Sequence, residues 1–298
     1  MLNTFDVPEH NVVTPLVYDT PSLAKDMASG HMNSSAERLL ANVQYAVRQG
    51  WPQMRAWPWR PDRVCIVGSG PSLASTAEEL RQLQWSGANV VTLNGAYQWC
   101  IEHGIRPDSQ IVMDARASNA RFVDPVVPGC RYVLASQCAP ETWNAVKGRP
   151  DVWIWHAVVE KDDAIAKFLD GYYAGNWFGV GGGTTVATRA LSLLRQAGYL
   201  RFDLFGVDCC WLGDVHHAMP QPENDRDTRA TVSVGDASRP ETMRKFDVAP
   251  WHLKQFEDVC TLLKLNGRHL QLTVHGSGML AYMLETLGSI DVNEIRTV

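Results

Sequence analysis

Arg63-Val-Cys-Ile-Val-Gly-Ser-Gly-Pro-Ser-Leu73 is the stretch whose reading decides the fold. The apolar run Val64–Val67 has the length and β-branched content of a buried strand. It runs into the tight turn Gly68-Ser-Gly-Pro-Ser72, and the residues beyond read as a helix over 73–85. Ser75-Thr-Ala-Glu78 has capping-box spacing for that helix. Glycines let a backbone approach an anion closely, and a helix N-terminus offers unpaired N–H groups and the positive end of a dipole. The turn departs from the dinucleotide fingerprint in two places. Leu73 stands where the third glycine of G-x-G-x-x-G belongs, and the second strand, 88–93, ends in Asn94-Gly95 and not in an acidic residue. The expectation is a phosphate-binding turn outside the NAD and FAD pattern, with a ligand-free strand–helix turn as the plain alternative. A Gly70→Val change is expected to block the phosphate position and leave the chain folded.

Outward from this turn, strand-like and helix-like stretches alternate. Apolar runs at 63–67, 88–93, 109–113, 131–135, 152–156, 202–207 and 270–274 are separated mostly by stretches near 73–85, 95–103, 140–147, 161–169, 184–197 and 251–265. Such alternation predicts an α/β fold: a Rossmann-like, mostly parallel sheet with helices on both faces. Upstream, residues 1–30 read as a polar arm. Leu39, Leu40, Val43, Ala46 and Val47 mark a helix over 34–49, and Trp51, Trp57 and Trp59 with Pro52, Pro58 and Pro61 form a linker that packs aromatics onto the main domain. The expected organisation is a helical N-terminal extension, 1–60, and a transferase-like domain, 61–298. Residues 208–250 carry Asp214, Glu223, Asp225, Asp227 and Asp236 with little periodicity; within them, 212–248 are expected to form a mobile lid that buries little apolar surface.

Over 298 residues the chain is 45% hydrophobic and 20% charged, with a formal net charge of −5, so nothing draws it toward nucleic acid or an anionic membrane. Seven cysteines with no C-x-x-C pair suggest free thiols in a reducing compartment. No signal-peptide pattern and no apolar run of about 18 residues is present, and the expected location is the cytoplasm.

Residues just past the carboxyl ends of parallel strands surround the ligand crevice. They include Asp114 after the third strand, Asp208 after the strand 202–207, and Gly179-Val-Gly-Gly-Gly-Thr-Thr185 before the helix at 186. The last lacks the lysine of a P-loop, yet its glycines and hydroxyls offer a second ring of donors. One crevice built from the Gly68–Ser72, Asn94–Gly95 and Gly182–Thr185 turns together is expected. His216 and His217 follow Asp208 closely enough to fold back over it as a proton-transferring group beside Asp114 or Asp208, unless they are a solvated loop pair. His252 and His275 are weaker candidates, and Asp108 reads equally as a site carboxylate or a plain loop one.

With these motifs in hand, residues 63–285 resemble the 6-hydroxymethylpterin diphosphokinase MptE-like family, which includes flagellin motility-accessory glycosyltransferases. The resemblance rests on Ile66–Leu73, Leu93-Asn-Gly-Ala96, Gly104-Ile-Arg-Pro-Asp108 with Asp114, Gly182-Gly-Thr-Thr185 and Phe205-Gly-Val-Asp208. The same order is similar to that of the bacterial sialyltransferases that use CMP-sialic acid. It implies nucleotide contacts at Gly68, Gly70, Ser72, Asn94, Thr184 and Thr185, to which position adds Ser69, Pro71, Gly95, Gly182, Gly183 and Asp208. It also implies a catalytic histidine before the next long helix, for which His216, His217 and His252 compete. Three activities follow as expectations: glycosyl transfer from a CMP-type nucleotide sugar, pyrophosphoryl transfer from ATP to a 6-hydroxymethylpterin-like acceptor, or nucleotide binding without catalysis. No covalent cofactor is expected. Mg²⁺ on Asp114 and Asp208 belongs to the ATP reaction alone. The partners are a nucleotide donor and an unidentified acceptor, and self-association is left open.

Overall fold

A computed structural model describes residues 34–158, 164–221, 227–235, 239–266 and 270–287. The arm expected over 1–30, together with Glu223, Asp225 and Asp236, lies outside the described residues.

The strands β1 (Arg60–Val67), β2 (Asn89–Leu93), β3 (Ser109–Val112), β4 (Arg131–Ala135), β5 (Val152–Ala157), β6 (Gly179–Val180), β7 (Tyr199–Phe205) and β10 (Gln271–Val274) form one sheet in the order β10-β7-β1-β2-β3-β4-β5-β6. Every neighbouring pair in it is parallel. Helices α1 (Ala36–Val47), α2 (Leu73–Trp85), α3 (Ala96–Glu102), α4 (Pro140–Ala145), α5 (Ala164–Tyr173), α6 (Val186–Gln196) and α7 (Pro250–Asn266) fall where the alternation places them. A 3₁₀ turn, Ala117–Val123, follows β3. The chain steps outward from β1 to β6, then returns through α6 to lay β7 on the other side of β1. The reversal of strand order at the β1–β7 pair is the topological switch point.

Alternate residues of β1 feed separate cores. Val64 and Ile66 join Leu191, Leu194, Phe202 and Leu204 on the side covered by α6. Cys65 and Val67 join Leu73, Leu80, Trp99 and Phe205 on the side of α2 and α3. A strand buried on both faces reads as an unbroken apolar run, as this one does. All seven cysteines are free and buried. Burial pushes the Cys65, Cys130 and Cys210 thiols up to about 12.

The extension is sewn to the sheet. Asn42 of α1 donates to the Ala115 and Gln137 carbonyls at 3.2 and 2.9 Å. Trp51 stacks on Trp143 at 5.7 Å, and the Pro52–Met54 backbone exchanges hydrogen bonds with Ile154. Trp57 and Trp59 behave differently from Trp51: they stand 61% and 58% exposed.

The structure differs from expectation at several points, the short edge strand β6 among them. Within 208–250, β8 (Ala230–Val234) and β9 (Arg244–Val248) pair as an antiparallel hairpin whose Val232, Val234, Phe246 and Val248 are buried. The supposition that this stretch buries little apolar surface therefore fails for the hairpin. An unforeseen helix, α8 (Met279–Leu287), follows β10. The capping box at Ser75–Glu78 does not form, because α2 already begins at Leu73. Ser75 Oγ donates to the Ser72 carbonyl at 2.8 Å, and Glu78 pairs with Arg81. Among the described residues no helix is long and apolar enough to cross a membrane.

Candidate active site

The turns after β1, β7 and β10 interlock at the switch point. Gly70 N–H donates to the Gly206 carbonyl at 2.8 Å, and a Cβ on Gly70 would stand 2.3 Å from Asp208 Oδ2 and 2.7 Å from Gly206 O. Gly206 has φ +58, and a Cβ there would meet Gly68 O. A Cβ on Gly278 would press on Asp208, and one on Gly276 on Ser72. These glycines are thus required for turn-on-turn contact. Gly70→Val loads a side chain onto backbone and a buried carboxylate, so the expectation of a folded variant with only its phosphate position blocked does not fit this geometry.

Both glycine turns already hold a carboxylate of the chain. Asp208, 4% exposed, accepts the Ser72 N–H at 3.0 Å at the start of α2. Burial raises its pKa, with the Ser72 hydrogen bonds opposing. Asp258 of α7 accepts the Thr184 N–H and hydroxyl at 2.6 and 2.8 Å, with Lys254 at 3.3 Å on its other side. Thr185 caps α6 in a reciprocal pair with Thr188. The Gly182–Thr185 turn follows the edge strand β6, with β2, β3, β4 and β5 between it and β1. A Cβ on Gly182 would meet Ser192 and Leu262, and one on Gly183 would meet Thr188 and Asp258, all residues of α6 and α7. The β1 and β2 turns lie together under the loop after Asp208, and the Gly182–Thr185 turn is tied through Asp258 to α7, whose Gln255 reaches Cys209 beside Asp208 at 3.5 Å.

Over the first two turns lies the loop that follows Asp208. Ala218 N–H donates to the Ser69 carbonyl at 2.8 Å, Gln221 Nε2 donates to Ser69 Oγ at 2.9 Å, and His217 Nδ1 stands 3.4 Å from the same hydroxyl. Met219 and Gln221 approach Gly95. His216, buried, lies between Trp211 and His217 at ring distances of 4.2 and 4.5 Å. Trp251 stacks on His217 at 5.8 Å and donates to Asp227 at 2.6 Å. His252 is committed elsewhere: its Nδ1 accepts the Ala249 N–H at 3.1 Å, and burial, with His217 and His216 nearby, holds its pKa well below the usual value.

The remaining candidates separate. Asp114 is gripped by Arg116, whose Nε lies 3.0 Å from both carboxylate oxygens and whose backbone N–H adds 2.9 Å. With Asp208 bound to Ser72, the two carboxylates expected to orient the histidines both have other partners. Asp108 accepts the Val90 N–H at 2.7 Å. His275 bridges Glu79 and Asp203 at 2.8 and 2.9 Å. Asn94, between β2 and α3, has φ 44, and its side-chain oxygen is buried without a hydrogen bond. Asp258, Trp211 and Trp251 were not anticipated. A carboxylate inside a helix, or a tryptophan in a loop, carries no local signal of what it will meet.

The family model for 6-hydroxymethylpterin diphosphokinase MptE-like proteins matches residues 37–214. The chain belongs to the MptE-like family. Among solved structures, this MptE-like chain is similar to the MAf glycosyltransferase from Magnetospirillum magneticum AMB-1, at 14% identity and TM-score 0.56 over 94% of the chain. The chain spans about half, 46%, of that protein's length. A mammalian sialyltransferase matches at 12% identity and TM-score 0.40, covering 90% of the chain and 91% of its own. At these identities the first likeness is one of fold, and the second carries no argument. No curated protein matches the chain.

An MptE-like chain that moved pyrophosphate from ATP would call for Mg²⁺. Asp114 is neutralised by Arg116, and Asp208 is buried against Ser72. Among the described residues no three His, Cys, Asp or Glu side chains converge as a metal site. Among the described residues, the two carboxylates expected to hold that ion, Asp114 and Asp208, are thus both engaged by the chain itself.

Proposed function

We propose that this MptE-like chain is a nucleotide-dependent glycosyltransferase whose donor lies over the β1 and β2 turns. The observation that carries the reading is that the loop after Asp208 sets His217 and Gln221 on Ser69 of the β1 turn and Gln221 and Met219 against Gly95, next to Asn94, in the β2 turn. Asn94 Oδ1 is an acceptor for a ribose hydroxyl or base amine, and Ser69 is a donor for the phosphate. The carboxylates already seated on both glycine turns disfavour a polyphosphate there by like-charge repulsion. A nucleoside monophosphate leaving group asks less of the site than ATP does. In the reaction the acceptor hydroxyl oxygen bonds to the sugar carbon. The bond from that carbon to the phosphate oxygen breaks with its electron pair on the nucleotide, and the His217 imidazole takes the hydroxyl proton.

The test combines binding and turnover. Thermal shifts with CMP, CTP, ATP and NAD should show stabilisation by CMP and none confined to NAD. His217→Ala should keep CMP affinity while release of CMP from a CMP-sugar donor falls by about 10²–10⁴-fold; full turnover in that variant excludes His217 as the base. The family description supports a second reading, pyrophosphoryl transfer from ATP. Stabilisation by ATP that appears only with Mg²⁺ would put it first. Nucleotide binding with no turnover in the wild type would leave the non-catalytic module.

A further inference from the structure

We propose that Gln110 is the positioning residue of this site, its buried amide tying Thr92, the Asn94 turn and the Phe122 carbonyl together and so aiming the Asn94 side chain. The inference rests on the nucleotide reading above. Gln110 lies in β3, fully buried. Its Nε2 donates to the Asn94 carbonyl at 2.9 Å and to the Phe122 carbonyl at 2.8 Å, while its Oε1 accepts the Thr92 hydroxyl at 2.6 Å. Both amide protons are used, so the group has one orientation; turned over, its oxygen would face two carbonyls.

The clamped residue needs holding. Asn94 stands at φ 44, in the left-handed region that L residues seldom occupy, Asn being among the few that do. Its own N–H reaches the Ile111 carbonyl at only 3.2 Å. The second arm fixes the opposite wall: Phe122 Cε1 comes within 3.4 Å of where a Cβ on Gly95 would stand. An apolar side chain of equal length would fill the same space and would hold neither carbonyl.

A double-mutant cycle tests this. Gln110→Met should weaken CMP binding about ten-fold when residue 94 is Asn, and by less than about two-fold in the Asn94→Gly background. Equal losses in both backgrounds would reduce Gln110 to a packing residue and overturn the inference. Where Asn94→Gly leaves no measurable binding, deamidation of the free protein gives the answer. There, Gly95 nitrogen attacks the Asn94 amide carbon and expels ammonia, which needs the turn to loosen. Gln110→Met should deamidate faster at Asn94-Gly95 and not at the second Asn-Gly pair, Asn266-Gly267. An unchanged rate at Asn94, or an equal rise at both pairs, overturns the inference. If Gln110→Met does not fold, Gln110→Glu takes its place, since a carboxylate sets an oxygen against both carbonyls. Wild-type protein that binds none of the nucleotides overturns the functional reading and this inference with it; binding with an additive cycle overturns this one alone.

Discussion

His275 and His252 shift in opposite directions, and the sign of each follows from what surrounds it. Burial pushes the His275 imidazole's pKa down, but the hydrogen bonds and charges of Asp203 and Glu79 outweigh it, so the pKa ends above the ordinary 6.5. Its contribution to stability is complete below the unfolded value and is lost as pH rises through the folded one. His252, buried and neutral, contributes above about 6.5 and loses that contribution as pH falls. Urea unfolding as a function of pH should therefore show stability falling on both sides of neutrality. In His275→Gln the alkaline fall should shrink while the acid fall stays. Asp208 was legible as a strand-end carboxylate because position alone marks it. Gln110 and Asp258 were not, because nothing local separates a polar residue that bonds a distant backbone from one that faces water.

Among elements, the β8–β9 hairpin joins what was read as loop to the core. Phe246 packs against Tyr282 of α8 at 5.6 Å, and the Tyr282 hydroxyl donates to the Thr242 carbonyl. Trp211 N–H donates to the Asp247 carbonyl at 2.7 Å, so the hairpin also holds the start of the histidine loop. Phe246→Ala should cost about 3–5 kcal/mol, appearing as faster amide exchange across 230–234 and 244–248, with β1–β5 protected as before. Both strands alternate in the sequence, Ala-Thr-Val-Ser-Val and Arg-Lys-Phe-Asp-Val. Flanking acidic and proline residues drowned that short period-two signal. The parallel strands were far easier to read, because burial on both faces turns each into an apolar run.

Over the whole molecule, α1 and the Trp/Pro stretch unite with the sheet through buried polar contacts. Asn42→Ala leaves the Ala115 and Gln137 carbonyls without their donor, and should cost about 1–3 kcal/mol. Denaturant titration followed by tryptophan fluorescence and by far-UV dichroism should give one coincident transition at a lower midpoint. An early loss of fluorescence alone would mean that the extension unfolds by itself. The strand order was only partly legible: alternation implies parallel neighbours, but the return from β6 to β7 depends on where α6 packs.

The seven thiols, buried without exception, give the native chain a chemical silence toward maleimides and iodoacetamides. A cysteine introduced at Val215, half exposed in the histidine loop, would then be the one accessible thiol such reagents find. One fluorophore could be attached there with every native cysteine left in place, beside the turn where the donor is proposed to lie.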